Sequence, residues 1–231
     1  MRVNQTEAFA ATLRMSDGQT QPVQPTWQSD NTTVLTFENG GTARGRNNGT
    51  ATIIGTHQGL TATRLIRVAS DYQGAWVGDY VIRRCDDAGD FRDTDFCDRE
   101  DGFYAGEILE VGLELRQDGT SVTGDARLGG IEGTASGSLD TQGRFAGSGS
   151  LTFVADGFPV AFAVNPLSLN AEGDRLTGTF TVTVTAPGLT GQGVFDAELP
   201  TVVRTAAGVM PSGGRSETFG NLRELLRAVR Q

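Results

Sequence analysis

The 231-residue chain carries 28 acidic and 19 basic side chains, a net charge of −9, and 32 glycines against 7 prolines. That balance excludes a broad phosphate-binding surface, and with it nucleic acid as a partner, and it disfavours anionic membranes. The glycine count suits many tight turns, no apolar run reaches the roughly 18 residues of a membrane span, and the length allows one large domain or two modest ones.

Residues 1–70 form the first predicted unit. Short strand candidates AFAATLRM, PTWQSDN, TVLTFEN, GTARGR, GTATIIGTHQG and LTATRLIRVAS are separated by the turn signals SDG, DNT, NGG and NNG, a spacing that predicts a β-sandwich. The start, MRVNQTEAF, lacks the charged, apolar, small-residue order of a signal peptide, so an exported protein is expected to be represented here by its mature chain with an added Met. The lone His57 sits beside Thr56 and Gln58 in a strand and reads as a surface residue rather than half of a catalytic pair.

The second predicted unit covers 71–208 and has longer strands. Eight are expected: WVGDYVIRR, GEILEVGLELRQ, TSVTGDARLG, GIEGTASGSLD, GRFAGSGSLTFV, FPVAFAVNPLSLN, RLTGTFTVTVT and LTGQGVFDAEL, most joined by short turns such as QDG, DTQG, AEGD and APG. Alternation places Leu109, Val111, Leu113 and Leu115 on one face of the second of these strands, and Phe158, Val160, Phe162 and Val164 on one face of the sixth. An apolar residue followed two positions later by glycine recurs at Val122, Ile131, Phe145, Leu176 and Leu189. Such a glycine shares the inward face and relieves crowding where a coiled sheet bends. Eight strands can close on themselves, which predicts an up-and-down antiparallel β-barrel with an apolar lumen and a wet exterior.

Cys85 and Cys97 flank an acidic stretch, RRCDDAGDFRDTDFCDRED, too polar to bury free thiols. A disulfide between them is expected, which implies an oxidising compartment. The carboxylates Asp86, Asp87, Asp90, Asp93, Asp95, Asp98, Glu100 and Asp101 do not follow the EF-hand order, and the stretch reads as a solvated loop balanced by Arg83, Arg84, Arg92 and Arg99, with no metal assigned. Residues 209–231 read as a linker and a short C-terminal helix with Phe219, Leu222, Leu225, Leu226 and Val229 on one face. The overall expectation is an all-β chain with that single helix.

Two resemblances add to this reading. Trp27, Ser29, Asn31, Val34, Gly49, Ala51 and Ile53 give the first unit a Trp-x-Ser-x-Asn and Gly-x-Ala-Thr-Ile order, on which it resembles the bacterial Ig-like group 2 domains. That resemblance implies an exported, secreted or cell-surface protein in which the unit is a spacer or adhesive part, and it supplies no catalytic residues. The second unit opens with Gly74-Ala75-Trp76 and closes with Val202-Val203-Arg204, and so resembles the calycin superfamily of lipocalin-like barrels. It departs from them in lacking a Thr-Asp-Tyr turn and in placing its helix after the barrel. This resemblance implies that Arg204 packs across Trp76 to close one barrel end, and that the lumen binds a small apolar ligand reaching it from the other end.

Leu113, Phe153, Phe162, Phe180 and Phe195 are the expected lumen ligand-binding residues, with Gly74, Trp76 and Arg204 as the closure. The same inward phenylalanines, Phe145 and Phe158 included, could instead fill the barrel, since eight strands enclose either a packed core or one small molecule. The expected function is accordingly that of an extracytoplasmic, non-enzymatic binding protein without cofactor, with a cell-surface protein or glycan as a further partner. The alternative is an adhesive or structural module with a solid barrel.

Overall fold

The computed structural model describes residues 1–98, 102–155 and 158–205; the helix expected over 216–231 lies outside the described residues. Two compact units divide the chain, Met1–Asp71 with Thr141–Gly143, and Tyr72–Asp140 with Arg144 onward.

The first unit contains β1 (Thr6–Ala8), β2 (Ala11–Arg14), β3 (Thr20–Val23), β4 (Thr26–Ser29), β5 (Leu35–Asn39), β6 (Thr42–Gly45), β7 (Gly49–His57) and β8 (Leu60–Val68). The residues read as a sandwich form three small antiparallel sheets, ordered β1-β6-β5, β2-β3 and β4-β7-β8. Their apolar faces gather Leu35, Ala43, Ala51, Ile53 and Val68 into one buried cluster, with Trp27 and Phe37 packed on its side. The Trp27 ring stacks on Phe37 at 5.6 Å and 19°. It also lies over Gly55, its cross-strand partner, where a Cβ would stand 3.0 Å from the indole. Ser29 and Asn31 shape the next turn: Asn31 N donates to Ser29 Oγ at 3.2 Å, and Thr33 Oγ1 donates to Asn31 Oδ1 at 2.7 Å.

The second unit is a closed antiparallel barrel of eight strands. These are β9 (Gly74–Gly89), β10 (Ile108–Asp118), β11 (Ser121–Leu128), β12 (Ile131–Leu139), β13 (Phe145–Ala155), β14 (Phe158–Glu172), β15 (Arg175–Thr185) and β16 (Gly191–Thr205). Each pairs with its predecessor, and β16 returns to pair with β9, so no edge of this sheet is left open. Alternation holds along the walls. Leu109, Val111, Leu113 and Leu115 of β10 are buried, with Gly112 the one buried residue between them, and Phe180, Val182 and Val184 of β15 are buried between exposed or half-exposed neighbours. Register shifts between Val164 and Leu167, between Leu176 and Gly178 and between Glu198 and Thr201 bend the long strands around the core.

Candidate functional site: the barrel lumen and its two ends

One barrel end is sealed by side chains from the two terminal strands. Trp76 and Arg204 are cross-strand partners, and the Arg204 guanidinium carbon lies 4.4 Å from the centre of the fully buried Trp76 ring. The stack pairs a delocalised cation with an aromatic face, and it is steadied by an ion pair from Arg204 to Asp174 at 3.3 Å and by donation from Arg204 Nη1 to the Gln73 carbonyl. Gly74 takes a φ of +119° at the turn into β9, a backbone conformation open to glycine. Trp76 Nε1 donates to the Tyr72 carbonyl at 2.8 Å.

Tyr72 completes this seal. Its hydroxyl donates to Leu169 O at 2.8 Å and accepts from the Phe145 and Ala171 N–H groups, both at 3.2 Å. One phenol thereby ties β13 to β14 beneath the barrel. Burial pushes the Tyr72 phenol above its ordinary value, and the two N–H donors act against that shift.

In mid-barrel the lumen retains a cavity of about 20 Å³, lined by residues that include Leu113, Leu151, Val164, Leu167, Phe180 and Leu199. That is room on the scale of one water, against the roughly 300–1,000 Å³ of pockets that hold drug-sized ligands. The inward glycines leave no open space in the lumen. A Cβ at Gly124 would stand 2.1 Å from Glu114 O, and one at Gly133 would stand 2.1 Å from Ser150 O. These glycines let neighbouring strands approach closely in a strongly coiled sheet. At Gly137 and Gly147 the vacated positions are taken by the Phe145 ring, 2.6 Å from either notional Cβ.

At the other end, Phe91, Phe96 and Phe103 turn inward from the acidic stretch and are almost fully buried. The 3-10 turn Asp90–Thr94 carries Phe91, and Asp95, at φ +52°, reverses the chain so that Phe96 points back toward the barrel. Phe96 lies over Gly193 of β16, where a Cβ would stand 2.3 Å from its ring. The rings of Phe91 and Phe96 meet edge to face at 5.5 Å, and Phe103 lies 5.1 Å from Phe96 and 6.4 Å from Phe162. The acidic stretch is therefore polar on its outside and aromatic beneath. Arg84 pairs with Asp86 at the surface, Arg92 with Asp87, and the Thr190 N–H donates to Asp90 Oδ2 at 2.6 Å.

Cys85 and Cys97 form a disulfide. Cys85 is the cross-strand partner of Phe195 and shares its inner face, so the bond ties Cys97, and Phe96 beside it, to the rim of the lumen. The mouth expected to admit a ligand is occupied by this plug.

The expected lumen residues separate accordingly. Leu113 and Phe180 line the small cavity, Phe162 and Phe195 both meet the Phe103 ring, and Phe153 is half-buried on the inner face of β13 and does not line the cavity. Phe91, Phe96, Phe103 and Tyr72 were missed by sequence reasoning. Two phenylalanines inside an acidic, cysteine-bounded stretch and a third shortly after it were the available signal, but they follow neither a strand nor a helix period.

The chemistry available inside is meagre. Tyr80 stands on the inner wall 5.3 Å from Phe180; burial first, then the charge of Glu107, pushes its phenol well above the ordinary value and keeps it neutral. Among the described residues no group of His, Cys, Asp and Glu gathers as a metal set, and His57 in the first unit has its Nδ1 3.2 Å from Gln24 O. In comparisons with known proteins, no family model and no curated protein matches the chain.

Proposed function

We propose that the chain is an extracytoplasmic, non-enzymatic structural or adhesive module, in which a solid, self-closed barrel acts through its outer surface and the first unit serves as a spacer. The observation that carries this reading is that the cavity lined by described lumen residues holds only about 20 Å³, with a Trp76–Arg204 seal at one barrel end and a phenylalanine plug at the other. A binding barrel of eight strands keeps room for a ligand, whereas this one spends its inward aromatic residues on its own core. The Cys85–Cys97 disulfide supports an oxidising compartment, and no helix among the described residues is long and apolar enough to cross a membrane. Similarity of the first unit to bacterial Ig-like group 2 domains supports a surface setting for this architecture. Apart from Glu107, buried near Tyr80, the inner wall offers neutral phenols, aromatic rings and aliphatic groups, which favours a module without chemistry of its own.

The test is a titration of the purified, oxidised protein with fatty acids and with an uncharged apolar dye, alongside native mass spectrometry. The reading expects no co-purified lipid and no saturable site. A stoichiometric, competable site, or a lipid carried through purification, would replace it with the ligand-carrier alternative.

A further inference from the structure

A sheet edge carries backbone donors and acceptors that invite another strand, and proteins keep such edges short, kinked or covered. The barrel has no edge. In the first unit the edge strands β1, β2, β3, β4 and β5 run to five residues at most. β8 is different. It forms the outer strand of the β4-β7-β8 sheet over the nine residues Leu60–Val68, without proline, glycine, acidic residue or register shift.

The turn before it decides which groups face outward. Gln58 and Gly59, at φ +48° and +82°, make a two-residue hairpin, so His57 and Leu60 exchange hydrogen bonds, as do alternate pairs from there to Gly49 and Val68. The N–H and C=O groups of Thr61, Thr63, Leu65 and Arg67 therefore point away from β7. The Arg67 carbonyl is taken, accepting from the Met1 amine at 3.2 Å, and Met1 and Val3 both bond to Ala69 beyond it. Thr61, Thr63 and Leu65 have no such backbone partner among the described residues.

The strand is complementary to itself in one alignment. Laid antiparallel on a second copy with Thr63 opposite Thr63, it sets Thr61 opposite Leu65, Leu60 opposite Ile66 and Arg64 opposite Ala62. The three open residues then meet the same three of the other copy, each facing pair exchanging N–H···O bonds, and no two charges stand face to face. Leu60 and Leu65, exposed by 59% and 69%, each gain a neighbour, while Arg64 lies back over the Phe9 ring at 5.9 Å. Other alignments lose one of these features. Moving the centre one residue toward Val68 sets Arg64 against Arg64, and moving it two sets Thr63 against the occupied Arg67. Moving it one residue toward Leu60 leaves Leu65 facing Gly59 in the turn.

We propose that the chain self-associates through this edge: β8 pairs with β8 of a second copy, antiparallel and in register about Thr63, so that the two three-stranded sheets become one. The contact is isologous, the same patch on both copies, and is independent of what fills the barrel.

The experiment is sedimentation equilibrium of the full oxidised chain up to about 1 mM, a range that reaches the weak association expected of a contact below standard interface size. The unaltered chain should show a reversible monomer–dimer equilibrium. Thr63→Lys and Thr63→Glu each set like charges opposite one another and should weaken the dimer at least about tenfold, whereas an equimolar mixture of the two should restore it. Thr63→Pro removes an outward N–H and none of the bonds to β7, and it too should weaken the dimer at least about tenfold. Far-UV circular dichroism is recorded for every variant; if Thr63→Pro loses strand signal, the exposed Lys and Glu substitutions decide. A monomer at every concentration overturns the proposal and leaves the edge to a strand of another protein. A dimer that the charge variants leave intact, or that their mixture fails to restore, places the contact elsewhere and also overturns it. Each of these results leaves the solid-core reading standing, because none bears on the lumen.

Discussion

Phe103 lies parallel to Phe195, with ring centroids 4.9 Å apart and planes inclined by 17°. One ring comes from the segment following the disulfide and the other from the last barrel strand, so the contact joins that segment to the barrel wall. Truncating Phe103 to Ala removes a fully buried ring from a core with almost no free volume and is expected to cost about 3–5 kcal/mol. Urea unfolding of the variant should show a lower midpoint at an unchanged slope. A loss below about 1 kcal/mol would mean that the plug collapses into the gap and that the ring is not core.

Gly193→Ala tests the same end from the wall side. The new Cβ would stand 2.3 Å from the Phe96 ring, so ring or strand must move, at a cost of about 1–3 kcal/mol. In a Phe96→Ala background the same substitution should become nearly neutral. Thermal unfolding of the double-mutant cycle reads this as a coupling; additive effects would show that Phe96 does not rest on Gly193.

At the sealed end, Arg204→Ala should cost about 1–2 kcal/mol through loss of the cation stacked on Trp76. Arg204→Lys should recover less than half of it, because an ammonium presents no plane to the indole and cannot reach both the Gln73 carbonyl and Asp174. The comparison is made by calorimetry, with full recovery by Lys arguing against stacking as the cause.

Tyr72→Phe keeps the ring and deletes the hydroxyl that serves three backbone groups. Two N–H donors and one carbonyl are left without that partner in a buried position, with an expected cost of about 2–4 kcal/mol. Hydrogen exchange at Phe145 and Ala171 should accelerate selectively, and unchanged protection at both would contradict the assigned role.

Stability should fall in alkali. Tyr72 and Tyr80 are both held above the ordinary phenol value of 10.0, chiefly by burial, so each stays protonated in the fold while the unfolded chain ionises. The stabilisation is complete below that value and declines above it, by about 1.4 kcal/mol per pH unit for each tyrosine. Urea midpoints measured from about pH 9 to pH 11 should show the decline, and Tyr80→Phe should reduce its slope. A flat profile would place both phenols in contact with water.

The amino-acid sequence by itself determined the walls. In a strand the side-chain direction alternates whatever lies beyond it, so Leu109, Val111, Leu113 and Leu115, and Val160, Phe162 and Val164, could be assigned to the inside from period alone. The count of eight strands and the short turns between them made an up-and-down closure the expected topology, which is the one observed. With two cysteines in the chain, a single intramolecular pairing could be read, and Cys85–Cys97 is that pairing.

Only the tertiary structure decided what fills the space those walls enclose. Alternation gives the direction of a side chain but not what it meets. The glycines at 124, 133 and 147 could be placed on the inward face, but whether the room they make goes to a ligand or to neighbouring backbone is not a matter of period, and the fold uses them for backbone and for Phe145. The plug was hidden for a related reason. Phe91, Phe96 and Phe103 lie among aspartates with no regular spacing, and their inward turn depends on partners distant in sequence: the bare backbone of Gly193, the ring of Phe195 and the rim position of Cys85. Burial of a loop side chain follows from where the loop is anchored rather than from a local period.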